Sequence, residues 1–116
     1  MTKREVMILD VPYVLKIGKR SEFSLMSKEH QGETRFFTKE IFICTEFEDG
    51  FTKEDKKVVL ENIIRHELVH AFLYESGFED YASDEQLVTW MEIVLPRLMQ
   101  KVKDVIMECN NLFDNI

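Results

Sequence analysis

The chain has 116 residues, enough for one hydrophobic core but not two, and is read as a single domain spanning 1–116. Hydrophobic residues make up 45% and charged residues 32%, the balance of a soluble globular protein, and no apolar run reaches the roughly 20 residues of a membrane span. The net charge of −7 argues against a nucleic-acid partner, which needs a clustered basic face; the one basic cluster, Lys53, Lys56 and Lys57, is interleaved with Glu54 and Asp55 and reads as a solvated helix start.

Met1-Thr2-Lys3-Arg4 is basic, but the apolar residues after it are broken by Asp10 and Pro12, so no signal peptide is expected. Cys44 and Cys109 form no CxxC and no disulfide framework, and both are expected as reduced thiols in a cytoplasmic protein. Residues 5 to 18 read as a β-hairpin. Glu5 to Leu9 is its first strand, Asp10-Val11-Pro12 its turn, and Tyr13, Leu15 and Ile17 alternate along the second strand until Gly18. Residues 19 to 31 read as a loop, with at most one helical turn from Ser21; His30 lies there and is expected to be exposed and without a role. A second hairpin follows, 33 to 37 and 40 to 46, joined through Thr38-Lys39.

Thr52 is a good N-cap with Asp55 three residues on, and the helix it opens runs about 37 Å to Ser76, with Gly77 in the left-handed closing position and Phe78 beyond. This helix carries His66-Glu67-Leu68-Val69-His70. Histidines four apart stack on one helix face and can offer two imidazoles to one zinc ion. Glu67 is rotated about 100° from His66, beside the metal instead of on it, where a general base for an attacking water belongs. Val59, Ile63, His66, His70 and Leu73 share the core-facing stripe, and an apolar core offers imidazoles no partners, which favours the metal reading.

Residues 78 to 82 read as a short loop and Ser83, with Gln86, as the cap of a second helix. Its core stripe is Leu87, Met91, Val94, Leu98, Val102 and Val105, with Trp90 and Leu95 beside it. Pro96 predicts a kink or break near 92 to 96, and the helix is expected to end near Cys109. Glu75 points roughly 140° from His70 and cannot be the third ligand. Asp84 and Glu85 remain the candidates; Glu85 is preferred, since it lies in the first helical turn, where the helix dipole favours an ionised carboxylate. Glu92, two turns deeper, is either a partner of a metal-bound histidine or an ordinary edge carboxylate, and the latter is preferred.

His66-Glu67-Leu68-Val69-His70-Ala71, Glu85 and Ile93-Val94-Leu95-Pro96 together resemble the short ImmA/IrrE-like, minigluzincin-type zincins of phages and mobile elements. The likeness extends to Ile8-Leu9-Asp10-Val11-Pro12-Tyr13, to the Gly32–Ile43 hairpin and to Tyr74-Glu75-Ser76-Gly77, most of the chain. It departs from the family pattern at Trp90 and Glu92, positions usually small or apolar. The resemblance implies zinc bound by His66, His70 and Glu85, with Glu67 activating water, in a metallo-endopeptidase acting on a cytoplasmic protein or peptide. By the same likeness, the strand before the metal helix, Glu40 to Thr45, would lie at the sheet edge and pair with an extended substrate. The expected fold is α+β and zincin-like: a small, mainly antiparallel sheet of two hairpins packed on the long metal helix and a second, Pro-kinked helix. A zinc-stabilised protein-binding module without catalysis is the alternative reading, and a hydrolase of non-peptide substrates a third. No oxyanion-stabilising residue is identifiable; Tyr74 and Tyr81 read as packing.

Overall fold

A computed structural model describes residues 1–23 and 30–114. Four strands precede the helices: β1 (Thr2–Ile8), β2 (Val11–Gly18), β3 (Gly32–Arg35) and β4 (Glu40–Cys44); then α1 (Lys53–Glu75), a one-turn α2 (Glu79–Ala82) and α3 (Glu85–Phe113). A 3₁₀ turn at Arg20–Glu22 follows β2. Residues 24–29 of the expected 19–31 loop, with Leu25 and Met26, lie outside the described residues.

The two expected hairpins form, with shifted bounds. β1 and β2 meet across a two-residue turn, Leu9-Asp10, not across Asp10-Val11-Pro12. Both turn residues have positive φ, 47° and 68°, the conformation whose twist matches that of paired strands. Pro12 is therefore inside β2, opposite Met7. It costs no ladder bond. Closure of the turn by Ile8 and Val11 puts the Pro12 nitrogen on the side of β2 away from β1, the side on which the Val14 N–H donates to the Lys39 carbonyl. The second hairpin turns through Phe36–Lys39, so β3 ends at Arg35 and β4 at Cys44, each two residues short of expectation.

The sheet order is β1-β2-β4-β3, with the hairpins joined by a parallel β2–β4 pair. The sheet is thus mixed, and β4 is an interior strand. Its sequence shows why: Ile41 and Ile43 face α1 while Phe42 and Cys44 are buried on the opposite face against Phe23. The expectation that Glu40 to Thr45 forms the sheet edge fails for this reason, and β3 occupies that edge.

α1 opens with the Thr52–Asp55 capping box and closes at Gly77, φ +93°, where the Phe78 and Gly77 amides donate to Leu73 and Tyr74. It packs Leu60, Ile63, Ile64, Leu68 and Ala71 on a core of Ile8, Tyr13, Leu15, Ile41 and Ile43. Each of these large apolar side chains contributes about 1.5–3 kcal/mol on full burial. Tyr13 is wholly buried and its hydroxyl donates to Glu75, which Lys39 also pairs; burial and the Glu75 charge raise the phenol strongly.

The region after α1 departs further from expectation. Residues 79 to 82 are helical, not a loop, and the cap of α3 is Asp84, whose carboxylate accepts from the Leu87 amide, not Ser83. α3 runs unbroken through Pro96 and past Cys109 to Phe113. Of its expected core stripe, Leu87, Met91 and Val94 are half-buried, but Leu98, Val102 and Val105 are exposed; Val88 is the buried side chain of this helix. Among the described residues no helix is long and apolar enough to cross a membrane.

Candidate metal centre

α1 and the start of α3 bring His66, His70 and Glu85 together, with one ligand atom from each within 4.8 Å of the others. Helical spacing brings the two imidazoles together with their planes 76° apart and Nε2 to Nε2 at 3.2 Å. The Glu85 carboxylate bridges them, at 2.9 Å from His66 Nε2 and 3.0 Å from His70 Nε2. Asp84, the other candidate, is engaged as the helix cap, and that engagement fixes the register that aims Glu85 at the histidines.

The far sides of both rings decide what the near sides offer. His70 Nδ1 faces the Ala82 carbonyl, an obligate acceptor, so Nδ1 carries the proton. His66 Nδ1 lies 2.9 Å from the Glu92 carboxylate and carries its proton likewise. In the neutral rings both Nε2 lone pairs then point at one another and at a carboxylate, three acceptors with no donor among them. Only a cation or an added proton relieves this. A small tetrahedral cation with bonds of about 2.0–2.1 Å sets its donors about 3.3 Å apart, close to the spacing seen here. The donor set thus fits zinc. The same environment acts on His66 itself: burial opposes its protonation, but hydrogen bonds to Glu92 and Glu85 and the charges of Glu67 and Glu85 outweigh burial and raise its pKa.

Glu67 is not among the three converging groups. It is 6% exposed and lines the same cleft of about 230 Å³ as His66, His70 and Glu85. Burial pushes its carboxyl above the usual range, against the pull of Thr34 and the two histidines. The Thr34 hydroxyl, 2.8 Å from Glu67 Oε1, fixes the side chain from β3. Gly32 sits where the strand passes closest: a Cβ there would meet Ile63 Cγ2 at 2.6 Å and Glu67 Oε2 at 2.9 Å, so only glycine lets β3 lie against this carboxylate.

Sequence reasoning missed Thr34, Gly32 and Ala82, and preferred the wrong role for Glu92. None carries a local signal: each acts through a residue at least 12 positions away. Glu92, only 16% exposed at its side chain, is a hydrogen-bond partner of His66 and not an edge carboxylate. His30 is exposed, as expected, yet it lines the cleft. Tyr74 is occupied in a stack with Phe36, centroids 4.4 Å apart, and Tyr81 packs near Phe78. Cys44 and Cys109 are free thiols. Comparison with known protein families, curated proteins and solved structures returns no match to this chain.

Proposed function

We propose that this chain is a zinc-dependent metallo-endopeptidase of the zincin type, acting on a protein or peptide in the cytoplasm. The observation that carries the reading is the division of labour in the cleft. His66, His70 and Glu85 converge as ligands, while a buried carboxylate, Glu67, stands beside them held by Thr34. A metal site used only for stability requires nothing at that position.

His66, His70 and Glu85 would hold the zinc, which would supply Lewis acidity toward a carbonyl and a water. The residues do the rest. Glu92 and the Ala82 carbonyl hold the two imidazoles in the tautomer that presents Nε2. Glu67, whose carboxyl burial holds above its usual range, takes the proton of the attacking water at Oε1 or Oε2 and returns it to the departing amine. Incubation of the zinc-loaded protein with a degenerate peptide library should yield new amino termini, and a chelator should abolish them. A loaded protein that cleaves no peptide bond would overturn the reading.

A substrate strand would find an open sheet edge at β3. β3 pairs with β4 on one side, and among the described residues no strand pairs with its other side. Cys44 donates to the Gln31 carbonyl, so pairing alternates such that Gln31, Glu33 and Arg35 bond to β4, while Gly32 and Thr34 turn their backbone N–H and C=O outward. These outward groups border the cleft. An extended peptide adding to β3 would run past Glu67 and the histidines. Thr34→Pro removes the outward N–H without touching the β4 ladder, and Thr34→Val removes only the hydroxyl. The proline variant should lose about tenfold more activity than the valine variant, the equivalent of one backbone hydrogen bond of about 1–1.5 kcal/mol. Equal losses at equal thermal midpoints would rule out strand addition at β3.

A further inference from the structure

The distal half of α3 leaves the body of the protein. From Pro96 to Phe113 the helix has no buried residue, yet Leu98, Met99, Val102, Val105, Ile106, Leu112 and Phe113 are each at least 41% exposed. The molecule measures 60 × 36 × 26 Å with a radius of gyration of 17.3 Å, against about 13 Å for a compact chain of this length. It exposes 8589 Å², some 2,000 Å² more than the roughly 6,600 Å² of a compact chain of this size. A standard protein interface takes about 800 Å² from each partner, so the excess is more than sufficient for one.

The stripe has a heptad form. Leu95, Val102 and Cys109 occupy one seam position, and Leu98, Val105 and Leu112 the other, in steps of three and four. Charge is divided along it: Arg97, Lys101 and Lys103 lie in the first half, Asp104, Glu108 and Asp114 in the second. Parallel pairing would set the basic halves together and the acidic halves together. Antiparallel pairing sets each basic half on an acidic one.

We propose that the stripe is the interface of an antiparallel homodimer, built from residues 95–112 of two copies. Val102 packs on Val105 of the second copy, Leu98 on Cys109, and Leu95 on Leu112. Lys101 then flanks Glu108 of the second copy, twice by symmetry, and the seam closes as an isologous contact. This surface is separate from the metal centre.

The 116-residue chain should sediment as a dimer at about 100 µM, a concentration well above the dissociation constant of a standard interface. Leu98→Glu with Val105→Glu should return it to a monomer with unchanged metal content, since both side chains are exposed in the single chain. A wild-type monomer at that concentration, with or without another protein able to cover the stripe, overturns the proposal. Cysteine bridging tests the direction without relying on those variants. In the antiparallel seam the two Cys109 thiols lie about 16 Å apart along the axis, eleven residues at 1.5 Å. A short thiol-to-thiol cross-linker should therefore join Leu98→Cys chains through Cys109 of the second copy but leave wild type unjoined. Efficient joining of wild type through Cys109 alone overturns the antiparallel arrangement.

Discussion

Glu67→Gln is expected to abolish peptide hydrolysis, a loss of about 10²- to 10⁴-fold, while metal content stays at wild type. The glutamine amide oxygen still accepts from the Thr34 hydroxyl, so the side chain keeps its anchor. It cannot accept a proton from water. Nor does the substitution weaken the fold. Burial raises the Glu67 carboxyl, so in the metal-free protein its stabilising contribution is full below the unfolded pKa and is lost as pH rises through the higher folded value. A neutral amide removes that loss, and the thermal midpoint near neutral pH should equal or exceed that of wild type. Peptide-library cleavage and metal analysis on the same preparation decide the matter. A Gln variant that retains both zinc and full biological effect would show that the protein acts by binding.

The second large effect lies in the ligands. Glu85→Ala removes the one carboxylate that, among the described residues, bridges both histidines and should weaken zinc binding by on the order of 10²-fold or more, beyond the 10- to 100-fold expected for removing an outer partner such as Glu92. Asp84→Ala should leave affinity nearly intact and instead cost about 1 kcal/mol of helix capping. Titration with a competing chelator ranks the three variants. The same protein should melt about 16 °C higher with zinc at 1,000 times its dissociation constant, because that excess stabilises the folded state by about 4 kcal/mol. Loss of zinc in Asp84→Ala with retention in Glu85→Ala would reverse the assignment of the third ligand.

The contrast between Asp84 and Glu85 shows where sequence reasoning reaches its limit. Both are acidic residues at the start of one helix, and the dipole favours either. Which one caps and which one turns toward the histidines depends on where α3 begins, and that depends on α2, whose four helical residues end at Ala82 and place its carbonyl on His70. Glu92 is similar. Its position on the helix wheel is visible in the sequence, but its bond to His66 depends on how α3 crosses α1.

What the sequence determined by itself was local. Thr52, Asp55 and Gly77 set the bounds of α1 through bonds that span one turn, and the four-residue step from His66 to His70 aligned two imidazoles because helix geometry leaves no alternative. Alternation of Tyr13, Leu15 and Ile17 marked β2 because successive side chains of a strand point to opposite faces. The tertiary structure alone decided which strands became neighbours, since alternation states that a strand has a buried face and not what lies beside it. The parallel β2–β4 pair made β4 an interior strand and left the open edge to β3, which brought Gly32 and Thr34 to Glu67. It also decided the fate of the α3 stripe. Periodicity showed an apolar face along the whole helix, but the body of the protein extends only far enough to cover its first half.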